Sequence, residues 1–187
     1  LKELDSAIEE VRELDGSFDG RVVIGTLPLV RTRIVPRAVA ALTRDHPRAC
    51  VEIVDGPYHT LLGNLLIGGI DMLLGALRAD ETAKGIEEET LFTDGLSVVA
   101  RAGHPLTRRN SVEPHDLSGY SWVLPREGTP TRLIFERTVK QNGLELPDTG
   151  IIETASLVAL RGILLETDRL TFVSRHQIRY EEMAGML

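Results

Sequence analysis

Apolar residues along this chain change period several times, and each change marks an element. Leu1, Leu4, Ile8 and Val11 stand at spacings of three, four and three, with Lys2, Glu3, Glu9, Glu10 and Arg12 between them. This is an a/d seam on a helix too short to be stable alone. Residues 1–15 therefore read as the C-terminal part of a linker or dimerisation helix, the other reading being the first helix of a globular core. After the break at Asp15, Gly16, Asp19 and Gly20 the period shortens. Arg21 to Gly25 is β-branched, short and closed by glycine, which predicts a strand. Thr32 to Asp45 follows as a helix, with Pro36 in its first turn where the missing N–H breaks no bond. Val51 to Val54 predicts a second strand, His59 to Ile67 a second helix ended by Gly68 and Gly69, and Asp71 to Gly75 a third strand.

Two extended runs come next, Ile86 to Phe92 and Leu96 to Ala100, then a turn at Gly103, His104 and Pro105 expected to be exposed. The alternation then restarts. Ser121 to Leu124 is a strand, Thr131 to Asn142 a helix closed by Gly143, Thr149 to Glu153 a strand, Ser156 to Glu166 a helix and Leu170 to Ser174 a strand. A last helix is expected from His176 to Met183. Strands alternating with helices of this length imply right-handed crossovers and parallel sheets, so the class is α/β. Two βαβαβ lobes result, near 20–95 and 97–172, with extended segments passing between them and a cleft expected where they meet.

Composition narrows the class of function. The chain has 187 residues, 42% of them hydrophobic, enough for a substantial core. With 21 Lys and Arg against 28 Asp and Glu, its formal charge is −7, a poor match for non-specific contact with nucleic acid. Cys50 is the single cysteine, so no internal disulfide can form. The longest apolar stretch, Leu61 to Leu77, is interrupted by Asn64, Gly68, Gly69 and Asp71 and is not expected to cross a membrane. No secretory leader opens the sequence, and the expected location is cytoplasmic. Position 1 is Leu rather than Met, so the chain is expected to be part of a longer protein.

Catalytic and metal-binding signatures do not emerge. His46, His59, His104, His115 and His176 have no ligand-pair spacing, and there is no phosphate-binding glycine loop or nucleophile elbow. No cofactor, metal or enzymatic activity is expected. What recurs is a set of strand-to-helix junctions: Gly25-Thr26-Leu27-Pro28, Asp55-Gly56-Pro57-Tyr58, Arg126-Glu127-Gly128-Thr129-Pro130 and Glu153-Thr154-Ala155-Ser156. In an open parallel sheet, such junctions lie at the carboxyl ends of the strands, where helix N-termini present N–H groups to polar ligands. Taken singly, each Thr or Ser reads as a helix cap; four junctions at one topological position read as a binding edge. Arg31, Arg78 and Arg132 lie near these junctions, and a guanidinium can clamp a carboxylate through two parallel hydrogen bonds. Arg132, in the first turn of its helix, is the strongest candidate for holding an anion.

Several segments in order resemble the effector-binding domain of LysR-type transcriptional regulators. They are Gly20 to Gly25 leading to Ile34-Val35-Pro36, His46-Pro47 before Val51-Glu52-Ile53, Gly69-Ile70-Asp71 to Gly75, His104-Pro105-Leu106, and Val112 to Leu117 ahead of Tyr120-Ser121-Trp122. The resemblance covers 16–187. It implies a type 2 periplasmic-binding-protein fold, with two Rossmann-like βαβ lobes joined by crossing strands and preceded by part of a linker helix. Lobe I would comprise about 20–95 and 175–187, and lobe II about 97–172. A closing strand and helix are expected beyond Leu187.

Carried over from the resemblance, the effector-binding positions are Thr26, Leu27, Pro28, Leu29, Gly56 and Pro57 from one lobe. The other lobe supplies Gly128, Thr129, Arg132, Glu153, Thr154 and Ser156. The chain departs from the family pattern at Thr167-Asp168-Arg169, where many members have Gly-x-Gly, and at Pro57, where several carry a hydroxyl. The implied partners are a small anionic metabolite of the sugar-acid or aromatic-acid class and further copies of the chain in a homodimer or homotetramer. Promoter DNA and RNA polymerase would be reached only through the full-length protein's helix-turn-helix, and no membrane is involved. The alternative on the same fold is a transporter's solute-binding protein.

Overall fold

The structure is a computed structural model that describes residues 20–78, 84–146 and 150–187. The expected helix over 1–15, and Thr149 of one expected strand, lie outside them. The chain divides into two compact units, Leu1–Glu88 and Glu89–Leu187.

The first unit runs β1 (Arg21–Thr26), α1 (Pro28–Arg31), α2 (Ile34–Asp45), β2 (Cys50–Asp55), α3 (Tyr58–Leu66) and β3 (Met72–Leu74). The three strands form a parallel sheet in the order β2-β1-β3. The helix expected over 32–45 is therefore shorter, and a separate helical turn precedes it. Pro28 starts that turn because its ring fixes a helical φ and its absent N–H is not needed at the first position. Asp71 explains why β3 begins where it does. Its N–H donates to the Val23 carbonyl at 2.9 Å and its Oδ2 accepts the Val23 N–H at 2.7 Å, so one residue continues the ladder with both backbone and side chain. Ile24, Val35, Leu61 and Ile70 are buried in this unit.

The second unit contains β4 (Leu96–Val99), β5 (Trp122–Leu124), α4 (Pro130–Gln141), β6 (Ile152–Glu153), α5 (Leu157–Glu166), β7 (Leu170–Ser174) and α6 (Arg179–Met183), with short 3₁₀ turns at Pro105–Arg108 and Pro114–Leu117. The sheet order is β4-β7-β5-β6, with β4 antiparallel to β7 and the remaining pairs parallel. Alternation along the strands feeds two cores. Trp122, Leu124, Leu170 and Phe172 pack with Phe135 of α4, while Val123 and Val173 pack with Leu160 and Leu164 of α5. A sheet apolar on both faces must be covered on both, which is why its strands read as continuous apolar runs.

Residues 86–92, expected as an extended run, join neither sheet, and Glu87, Glu88 and Glu89 are exposed. Two expectations need correction. Residues 175–187, expected in the first lobe, pack in the second unit: Ile178 joins the cluster of Val99, Leu160 and Val173. There the Ala102 N–H also donates to the Met186 carbonyl at 2.9 Å, and Arg161 meets Glu181 at 2.7 Å. Finally, His104 is fully buried rather than exposed.

The ring of His104 has two fixed partners. Nδ1 accepts the Leu106 N–H at 3.1 Å, so the hydrogen sits on Nε2, which donates to the Asp168 carbonyl at 3.1 Å. Tyr120 lies against it at 4.6 Å between ring centroids. Arg101 holds the Asp168 carboxylate at 2.6 Å from the same side of the sequence, so the segment 101–106 is tied to the turn before β7 twice. Replacing His104 with Ala strips both backbone groups of their partner and opens a cavity, and is expected to cost about 2–4 kcal/mol in denaturant unfolding. Asn, which restores an acceptor for the Leu106 N–H, is expected to cost less.

Candidate functional site at the carboxyl edges of the sheets

In the first unit, Thr26 and Asp55 end neighbouring strands in register. Thr26 is fully buried. Its hydroxyl donates to the Val54 carbonyl at 3.4 Å and accepts Arg31 Nε at 3.2 Å. Arg31 also donates through Nε and Nη2 to the Thr26 carbonyl, and its Nη1 lies 3.8 Å from Asp55 Oδ2. Burial lowers the Arg31 pKa, an effect that Asp55 partly offsets. The guanidinium thus serves as a clasp between the ends of β1 and β2.

Leu27, just before α1, and Pro28 and Leu29 at its start are half-buried. The Leu27 N–H donates to the Leu74 carbonyl at 2.9 Å, which draws the loop over the end of β3. Glycine is required at 75 because a Cβ there would stand 2.7 Å from Leu27 Cβ. Gly56 and Pro57 lead into α3, whose N-cap, Pro57, offers no side-chain acceptor. Close to that helix start, the Arg78 guanidinium carbon lies 4.0 Å from the centre of the Tyr58 ring, a cation–π contact.

In the second unit, Leu124 and Glu153 end neighbouring strands in register. Gly128 takes a left-handed φ of 73°, which a side chain would strain. Thr129 caps α4: its hydroxyl accepts the Arg132 N–H at 3.4 Å and donates to the Arg126 carbonyl at 2.8 Å. Thr154 accepts the Ser156 N–H at 3.0 Å, and Ser156 caps α5 by accepting the Ala159 N–H at 3.2 Å. Thr129 and Ser156, both expected to bind a ligand, are thus also caps.

Arg132 is placed differently from an open anion clamp. Its side chain is 9% exposed, Nε donates to Glu136 at 2.7 Å, and Nη1 donates to Glu153 at 2.7 Å and to the Pro125 carbonyl at 3.4 Å. Glu127 approaches Nη2 to 3.9 Å. Two residues expected to contact the effector, Arg132 and Glu153, are therefore bonded to each other. The partner missed in the sequence is Glu136, four residues along the helix from Arg132, a spacing that places the two side chains on one face.

Each unit thus gathers its expected residues at one sheet edge: Thr26 to Leu29 with Gly56 and Pro57 in the first, Gly128 to Arg132 with Glu153 to Ser156 in the second. Among the described residues, no group of three or more His, Cys, Asp or Glu is arranged to hold a metal ion. No described helix is long and apolar enough to cross a membrane.

The family model "LysR substrate binding domain" matches residues 15–187. The chain belongs to this family. It is 35% identical over 187 residues to the HTH-type transcriptional regulator GalR of Pseudomonas putida, covering 100% of this chain and 47% of that protein. It is 30% identical over 186 residues to the HTH-type transcriptional regulator PcaQ of Agrobacterium fabrum, covering 98% of this chain and 59% of the relative. The chain thus spans about half the length of the curated relatives it matches. Among solved structures, the effector-binding domain of QuiR in complex with shikimate has a TM-score of 0.67 at 18% identity, over 83% of this chain and 73% of that one. At that identity the likeness concerns the fold, which is of the type 2 periplasmic-binding-protein kind.

The bonding of Arg132 has a measurable consequence for the LysR-family domain. An exposed ligand-binding Arg can be replaced with little effect on the unliganded protein, whereas this one joins α4, β6 and the loop after β5. Arg132→Met is expected to destabilise the protein without ligand by about 1–3 kcal/mol in denaturant unfolding. A change within about 0.5 kcal/mol would show that these bonds contribute nothing to the fold.

Proposed function

We propose that this chain is the effector-sensing part of a LysR-type transcriptional regulator. A small metabolite is held by strand-end loops of the chain, and its unequal affinity for alternative arrangements of a homodimer or homotetramer alters DNA binding by a helix-turn-helix elsewhere in the protein. The observation that carries the reading is the family match across 15–187, which the two regulators similar to the chain support. The loop chemistry supports a polar ligand: in each unit, strand ends and helix starts meet at one edge, with Gly56 and Pro57 in one and Gly128, Thr129, Thr154 and Ser156 in the other. QuiR, a neighbour in fold, holds shikimate in its effector-binding domain. The family match favours a regulator over the solute-binding alternative on this fold.

A ligand that binds only the folded protein raises its melting temperature, by an amount equivalent to about 2.7 kcal/mol at a hundred times its dissociation constant. A thermal-shift screen of sugar acids, aromatic acids and cyclic hydroxy acids is expected to give at least one saturable rise. Gel filtration of the same protein is expected to give a dimer or larger. A monomer whose melting temperature no compound moves at millimolar concentration would contradict the proposal.

A further inference from the structure

We infer that the second unit reads hydroxyl groups of the effector, not its carboxylate, and that Glu153 is the specificity-determining residue. The inference rests on the sensor reading above and narrows it. It comes from the arrangement around Arg132, where one buried guanidinium faces the carboxylates of Glu136, Glu153 and Glu127.

A carboxylate arriving at this edge would find the guanidinium's Nε and Nη1 already committed at 2.7 Å. It would also meet more negative than positive charge at short range, and like charges disfavour one another most where water is partly excluded. A hydroxyl meets the opposite situation. Glu153 uses Oε1 on Arg132, while its Oε2 receives no hydrogen bond among the described residues, and the side chain is 41% exposed. Arg132 thus orients this carboxylate and leaves one oxygen as an acceptor. An acceptor-only group of this kind selects a donor, and an O–H to a carboxylate is among the stronger hydrogen bonds.

The neighbouring groups complete a match to a hydroxyl, which both donates and accepts. Thr154 and Ser156 spend their oxygens as acceptors from backbone N–H groups, and neither hydroxyl hydrogen is donated within the described residues. Both hydroxyls therefore keep a hydrogen to donate to a ligand oxygen at this edge. The ligand class is therefore a polyhydroxylated metabolite, with adjacent hydroxyls at the end that meets this unit; any acidic group it carries lies away from Glu153.

The test is isothermal titration calorimetry of the whole chain with matched acids that differ in hydroxyl content: shikimate against 1-cyclohexene-1-carboxylate, D-gluconate against hexanoate, and 3,4-dihydroxybenzoate against benzoate. At least one hydroxylated member is expected to bind about tenfold or more tighter than its bare counterpart. Glu153→Gln, which keeps an oxygen for Arg132 but removes the acceptor charge, is expected to weaken the hydroxylated ligand about tenfold and to leave unchanged or strengthen any bare acid. Glu127→Gln, at a side chain 79% exposed, serves as a second variant should Glu153→Gln melt early, and is expected to weaken the same ligand less. Bare acids binding as tightly as their hydroxylated partners would overturn the inference and leave the sensor reading standing. Failure of all six compounds to bind would count against both.

Discussion

A guanidinium withdrawn from water loses a hydration shell that only acceptors at hydrogen-bonding distance can replace, and Arg132 meets that demand with Glu136, Glu153 and the Pro125 carbonyl. The three partners come from α4, the end of β6 and the loop after β5. Satisfying one buried charge therefore fixes the relative positions of two strand ends and one helix start. The caps at Thr129 and Ser156 act on the same segments, anchoring each helix N-terminus to the chain just before it. The Glu153 carboxylate takes its position from that arrangement.

The first unit solves the related problem of joining strand ends with a shorter reach. Arg31 lies five residues beyond Thr26 and folds back onto that residue's carbonyl and hydroxyl, with Asp55 close enough to offset part of its burial. In both units the order of strands is second-first-third for the βαβαβ segment, so the first strand is central and its following loop lies between the other two strand ends. The units differ in what is added. The second carries β4 antiparallel on the outside of β7, and residues beyond β7 return to cover the α5 face through Ile178.

Much of this order was legible in the sequence because the governing signals are local. Leu170 to Ser174 is a short run of Leu, Phe and Val interrupted only by the small hydroxylic Thr171 and closed by Ser174, and it is β7 with its expected limits. Gly143, at φ 59°, ends the helix it was expected to end. The failures share a cause, which is that they depend on partners far away in sequence. His104 in a Gly-His-Pro turn looks solvent-exposed until Asp168, 64 residues later, supplies the acceptor that lets the ring be buried. Residues 175–187 carry no mark of which lobe they cover, since apolar residues such as Ile178 and Leu187 do not name their partners, which are set by the tertiary fold.

The candidate site shows the same division. The residue types and the junctions that hold them were readable, since Thr, Ser, Gly and Pro at strand-to-helix turns follow from capping and turn chemistry alone. The role of Arg132 was not, because a guanidinium beside a helix start is equally able to hold a ligand's carboxylate or the protein's own. Glu136, four residues beyond Arg132 on the same helix, was the available warning, and Glu153, 21 residues from Arg132, could be placed only by the pairing of β5 with β6. Once those two carboxylates are counted, the charge that seemed to invite an anion belongs to the scaffold. Selectivity at this edge then passes from the arginine to the carboxylate it holds, which changes the favoured contact from an acidic group to a hydroxyl.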